Sequence, residues 1–245
     1  MYNELARDYK KLIYLDIETA PIHKEYHDMP SDLMDIYNSK FRDVKSDDVE
    51  LHYKNNASFH PEFSRIVCVS MAYRKNGEGI LSCKYVTDMD EYKLLYDFGK
   101  MMTALVTSGY DKVITHYGRM FDIPFLMKRI TINNYHATSQ SKSYIPTPHV
   151  LVPTTKPWES NLYDTHDIWK FGGNTSSSLN AMCYLLGIES PKNGQVSGET
   201  VGPFFHEYGE RSLSTIGEYC NADVEALAKV VNRLLISAGH NVSKL

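Results

Sequence analysis

Near its N-terminus the chain reads Lys11-Leu12-Ile13-Tyr14-Leu15-Asp16-Ile17-Glu18-Thr19, and this stretch limits the fold more than any other. Its aliphatic and β-branched residues predict a short buried strand over 12–17. Alternate side chains of a strand leave the same face, so Asp16 and Glu18 emerge together at its C-terminal end. Two adjacent carboxylates on a core strand repel each other and are costly to desolvate without a positive partner. A divalent cation meets that need, and hard oxygen donors suit Mg2+ or Mn2+. The same acid spacing recurs at Asp48/Glu50 and Asp223/Glu225. The first of these lies in a charged run from Asp43 to Glu50, and the second in a helical pattern where i and i+2 point apart. Only Asp16/Glu18 follows an apolar strand.

The bulk properties narrow the class. The 245 residues can bury a substantial core, and no linker divides them, so a single domain over 1–245 is expected. No apolar run has the length of a membrane span. The charged start, Met1 to Lys11, does not resemble a secretory leader. Cys68, Cys83, Cys183 and Cys220 are scattered without a Cys-x-x-Cys spacing and read as buried thiols, with a cytoplasmic setting as the default. A net charge of −4 argues against a broad nucleic-acid-coating surface. It does not argue against an acidic metal-dependent site, where bound cations reverse the local field.

Along the chain, 22–60 is a polar excursion holding one amphipathic helix at 31–42. A strong strand at 65–73, a glycine-bearing turn at 75–79 and a returning strand at 80–86 follow. Apolar residues at three-and-four spacing predict a helix over 90–108. A short strand at 112–116 precedes a helix at 121–130 with proline in its first turn. Residues 131–160 are loop-like, with a proline-rich part at 144–160. A short strand and its exit lie at 162–169, and a helix at 178–186 ends at Gly187. A polar connection over 188–211 leads to a long helix over 212–237. The order predicts an α/β layered domain with a mixed sheet.

Two further places put acids on apolar scaffolds. Asp122 opens a helix after a strand; alone it reads as a cap or dipole partner. Asp223 sits at the margin of the last helix's apolar stripe, with Tyr219 one turn earlier on the same face; alone, Tyr219 reads as a core-edge aromatic.

This set, in this order, resembles the three motifs of the DEDD superfamily of 3′–5′ exonucleases, and more narrowly the proofreading exonuclease domain of family-B DNA polymerases. The resemblance extends to His60–Val67, to Ser178-Leu179-Asn180 with Leu186-Gly187-Ile188, and to Lys192 with Ser197–Val201. A tyrosine four residues before the last aspartate, with Glu218 at the position a histidine occupies in the other variety, resembles the tyrosine subtype. One departure is Tyr117, where the family usually has asparagine. His116 beside it can replace a lost contact, or is an ordinary strand-end histidine.

The resemblance implies a ribonuclease-H-like mixed five-stranded sheet flanked by helices. It implies release of nucleoside 5′-monophosphates from DNA 3′ ends with two divalent ions, Mg2+ or Mn2+. Asp16 would bridge, Glu18 and Asp223 would complete one ion's set, Asp122 would serve the second, and Tyr219 would hold the attacking water. Thr19, His116, Tyr117 and Phe121 would contact substrate. Trp158, Trp169 and Phe171, with Arg119, Lys128, Arg129 and Lys170, are further candidates for single-strand binding. Single-stranded DNA or DNA 3′ ends are the expected partners; proofreading for a DNA polymerase in trans and degradation of free ends are both open. The alternatives are an RNA exonuclease on the same fold, or a binding module without catalysis, which the presence of all four acids and Tyr219 counts against.

Overall fold

The computed structural model describes every residue except 76–80, 153–160, 176, 191–195 and 245. In chain order the elements are α1 (Tyr2–Asp8), β1 (Leu12–Pro21), α2 (Ser31–Lys40), α3 (Val49–Asn56), β2 (Ser64–Arg74), β3 (Leu81–Thr87), α4 (Glu91–Thr107), β4 (Lys112–Thr115), α5 (Asp122–Ser139), β5 (Leu162–Asp164), α6 (Thr165–Lys170), α7 (Leu179–Leu185), α8 (Val201–Tyr208) and α9 (Leu213–Ser237). The strands form one mixed sheet in the order β3-β2-β1-β4-β5. β1 pairs antiparallel with β2 and β2 with β3, whereas β4 runs parallel to β1 and β5 to β4. This is the helix-flanked α/β sheet expected from the sequence. No helix among the described residues is long and apolar enough to cross a membrane.

The pleat of β1 sorts the two layers. Ile13, Leu15 and Ile17 join Leu94 and Phe98 of α4 and Leu126 of α5 in one core. Leu12 and Tyr14 face the other way, into a core built with Val224, Leu227 and Val231 of α9. Asp16 and Glu18 continue that second row, so strand geometry alone turns both toward α9. α9 lies directly on the sheet at Gly217, where any Cβ would collide with the Tyr85 ring.

β1 is longer than its apolar pattern suggests. It continues to Pro21, paired with Ser64, across a register shift between Glu18 and Thr19. A proline is accommodated at a strand's last position. Its parallel partner β4 leaves early: the pairing ends at Tyr14 with Ile114. Beyond that point the β4 side of β1 is open, and that opening is where the acids lie.

Several helices depart from their sequence pattern. The excursion holds both α2 and α3, with Tyr26, Met29, Tyr37, Tyr53 and Phe63 forming a small core of their own. The charged run before Leu51 conceals α3, which buries only Tyr53. α5 continues to Ser139, nearly clear of the core, where a loop from 131 was expected. α8 lies inside the expected polar connection; its Gly202-Pro203 reads as a breaker, but Pro203 falls in the first turn, where the missing N–H is tolerated. α6 follows β5 directly. Gly187 does end α7: its φ is +65°, and the Ile188 N–H donates to the Cys183 carbonyl at 2.8 Å. Most of the 75–79 turn, the 153–160 part of the proline-rich loop with Trp158, and Lys192 lie outside the described residues.

A buried ion pair joins α4, α5 and β2. Arg129 Nε donates to Glu91 Oε1 at 2.9 Å, and its Nη1 donates to the Pro61 carbonyl at 3.0 Å. The same carboxylate accepts from the Ile66 N–H at 2.7 Å and from Asn133 Nδ2 at 3.0 Å. Arg129 is therefore an internal strut and not a phosphate-facing cation, contrary to its sequence-based candidacy.

Candidate active site

The open flank of β1 is closed by side chains from other elements. After β4 ends at Thr115, residues 116–121 turn sharply and α5 begins with Asp122. Asp122 Oδ1 accepts the Ile17 N–H at 3.1 Å, standing in for the carbonyl that β4 no longer supplies. The departing strand thus replaces a ladder bond with a carboxylate, and that carboxylate arrives next to Asp16 and Glu18. From above, α9 brings Tyr219 and Asp223 down one turn apart.

The result is a cleft of about 520 Å³ lined by Asp16, Glu18, Thr19, His116, Tyr117, Phe121, Asp122, Tyr219 and Asp223. Asp16, Glu18, Asp122, Asp223 and Tyr219, with Thr19, His116, Tyr117 and Phe121, all reach this one cavity; among the described residues, the further candidates for single-strand binding do not line it. Ser58, Phe59, Ser197, Gly198 and Glu199 complete its wall. Trp169 and Phe171 do not line it: Trp169 Nε1 donates to Ser177 Oγ at 3.1 Å, and Phe171 projects to solvent at the end of α6. Arg119 is turned away as well, with Nη2 donating to the Leu162 carbonyl at 2.8 Å and Nε 3.7 Å from Asp167. Lys128 lines a separate groove with Pro61 and Glu62.

The electrostatics follow from crowding like charges at the end of a buried strand. Burial, then the charges of Asp122, Glu18 and Asp223, raise the Asp16 carboxyl well above its ordinary value. Burial pushes Asp122 up to about 7, against the lowering by its own N–H and that of Ile17. Burial and the facing carboxylates of Asp223, Glu18 and Asp16 hold the Tyr219 phenol far above its usual range, so it keeps its proton at neutral pH. Burial lowers His116, whose Nδ1 lies 3.0 Å from Thr165 Oγ1. Cys220, fully buried beneath the floor, has its Sγ 3.5 Å from Asp16 Oδ2.

A divalent cation fits this donor set. Carboxylate oxygens are hard ligands, and Asp16 bears the cost of three facing acids that a cation would remove. Asp16 and Glu18 bring ligand oxygens within 4.8 Å of each other, and Asp122 and Asp223 line the same cleft.

One essential support is not evident from sequence. The Asp164 carboxylate, buried at the end of β5, accepts the N–H groups of Tyr117 at 2.7 Å, Arg119 at 3.0 Å and His166 at 3.0 Å. It holds the turn that carries Tyr117, Phe121 and Asp122 into the cleft. That turn is strained, because Tyr117 has φ +66°, a left-handed conformation that suits asparagine or glycine better than tyrosine. The only sequence trace of this role is an acid at the end of a short strand. Asp164→Ala is expected to cost about 3 kcal/mol by leaving these donors unpaired. A thermal melt of the variant against wild type checks this.

The excursion contributes to the cleft too. Thr19 Oγ1 donates to the Ser58 carbonyl at 2.8 Å, which fixes Phe59 at the mouth. The Phe59 and Phe121 rings meet edge to face at 6.1 Å. Phe59 and Tyr117 remain about half exposed, at 54% and 47%.

Comparisons with known proteins agree with this architecture. A solved structure of a family B DNA polymerase from the hyperthermophilic archaeon Pyrobaculum calidifontis matches with a TM-score of 0.53 at 12% identity. The match covers 89% of this chain and 24% of the polymerase chain. At that identity it is a likeness of fold. No curated protein matches. The sequence profile of the RNase_H_2 family matches residues 57–235, from the turn before β2 into the last turn of α9. With most of the chain so matched, and with the mixed sheet found independently, the protein belongs to the RNase_H superfamily.

Proposed function

We propose that this chain is a metal-dependent 3′–5′ exonuclease of the tyrosine DEDD type, releasing nucleoside 5′-monophosphates from DNA 3′ ends. The observation that carries this reading is the convergence of Asp16, Glu18, Asp122, Asp223 and Tyr219, from three separated elements, in one cleft. Two Mg2+ or Mn2+ ions held by the four carboxylates would supply a water activated at neutral pH and a counter-charge for the leaving oxygen.

The chain's own groups account for the rest. Tyr219, beside Asp223 and with its phenol held above its usual range, would hydrogen-bond the attacking water and hold it in line. Asp122, spanning from α5 to the Ile17 N–H, ties the phosphate site to the central strand. Phe59, Tyr117 and Phe121 present ring faces and edges to unstacked bases at the mouth, which suits a single-stranded end. A place beside replication or repair, with service to a polymerase in trans, is part of the same proposal.

The test uses 5′-labelled single-stranded DNA and RNA oligonucleotides with Mg2+, Mn2+ or chelator. A ladder shortening from the 3′ end, stronger on DNA and abolished by chelator, is expected. A ladder on RNA alone would reassign the substrate, and no ladder from folded protein with either metal would end the exonuclease reading. Tyr219→Phe should lower kcat by about 10- to 100-fold while Mn2+ affinity stays unchanged. An unchanged kcat would remove the phenol from the chemistry.

A further inference from the structure

The oxygen-rich site has a sulfur beneath it. The ligand atoms of Asp16, Glu18 and Cys220 all lie within 4.8 Å of one another. Cys220 Sγ lies 3.5 Å from Asp16 Oδ2 and 3.6 Å from the Asp16 carbonyl. A tetrahedral ion with metal–oxygen bonds of about 2.0–2.2 Å and a metal–sulfur bond of about 2.3 Å holds its oxygen and sulfur ligands roughly 3.5 Å apart. The Asp16–Cys220 separation already matches that edge. Both residues stand on rigid elements, the central strand and the middle of a 25-residue helix.

We propose that Cys220 is a third ligand of this site, and that it makes the site an acceptor for thiophilic ions of the Zn2+ class, with Asp16 and Glu18 supplying the oxygens. The inference rests on the reading of Asp16 and Glu18 as metal ligands and extends it to the choice of metal. Mg2+ takes oxygen ligands in octahedral geometry and gains nothing from the thiol. A thiolate favours Zn2+ and its soft relatives, and Zn2+ already exceeds Mn2+ in general affinity. Coordination breaks the Cys220 S–H bond and forms a metal–sulfur bond; the proton leaves by way of Asp16 Oδ2, which already accepts the S–H, to water in the cleft, and no oxidation state changes. Three protein ligands leave one position open, so the thiophilic ion competes directly with the ions that support hydrolysis.

The test adds Cd2+ alone to the metal-free protein and follows the ultraviolet sulfur-to-metal charge-transfer band. Mn2+ binding is measured in parallel by electron paramagnetic resonance. Wild type should show the band and bind Mn2+. Cys220→Ser and Cys220→Ala should lose the band and bind Cd2+ about 100-fold or more weakly, since a ligand matters more than an outer-shell partner, while retaining Mn2+. Cys68→Ala, which alters the thiol opposite Glu18 in the β1–β2 ladder, should keep the band. Mn2+ binding without a Cd2+ band in wild type, or a band that survives in both Cys220 variants, would overturn the sulfur ligand alone. Failure of wild type to bind either ion would overturn the metal-site reading itself.

Discussion

Asp16→Asn is expected to reduce metal-dependent cleavage by at least about 1,000-fold while making the metal-free protein more stable. The two effects share one cause. The folded chain raises the Asp16 carboxyl above its ordinary 3.8 through burial and the charges of Asp122, Glu18 and Asp223. Above pH 3.8 the unfolded chain has released this proton and the folded chain still holds it. The folded state then binds more protons, so stability falls as pH rises through the window between the two values. Asp122, moved from 3.8 to about 7, contributes in the same direction over that range. At neutral pH the metal-free site is therefore under strain, and an amide at position 16 relieves part of it. A gain of about 1–3 kcal/mol corresponds to a melting temperature higher by roughly 3–10 °C. Mn2+ should raise the melting temperature of wild type but not of the variant. Melts across pH 4 to 8, with and without Mn2+, measure all of this. A variant that melts lower than metal-free wild type at pH 7 would contradict the account of the site's charge.

The second large effect lies away from the cleft. Arg129→Ala should destabilise the protein by about 3–5 kcal/mol, because it leaves the Glu91 carboxylate buried without its cation. For a chain of this size the melting temperature should drop by about 10 °C or more. Glu91→Gln with Arg129→Met should recover much of the loss, since replacing both partners removes the unpaired charge. Cleavage by the surviving folded fraction should be unaltered, which separates this strut from the phosphate-facing role its position in the sequence suggested. Denaturant unfolding with a parallel activity assay distinguishes the two.

What the sequence revealed about this molecule follows the reach of local periodicity. The pleat of β1, the stripes of α4 and α9 and the acids carried on them are written in spacings of two, three and four residues. The elements those patterns define converge on one cleft in the structure. Features settled by distant partners left no such trace. The extension of β1 to Pro21 depends on pairing with Ser64, and α8 depends on burying Val201 and Phe205. Asp164 is an ordinary strand-end acid until the chain returns Tyr117 and Arg119 to it, 47 and 45 positions away. Phe59 reaches the cleft from a segment held by Thr19 and Ser64, 39 and 7 positions from the carbonyls they bond. Cys220 was legible as a buried thiol, but its proximity to Asp16, 204 positions earlier, was not.

The order in which the acids occur along the chain also sets when the cleft can exist. Asp16 and Glu18 ride on the first strand, and Asp223 and Tyr219 on the last long helix. At synthesis rates of about 5–20 residues per second, a growing chain carries the first pair for on the order of ten seconds or more before the second is made. Throughout that interval it lies beside its own messenger RNA with an incomplete set of carboxylates. The cleft therefore cannot assemble until α9 has left the ribosome, however early β1 is made.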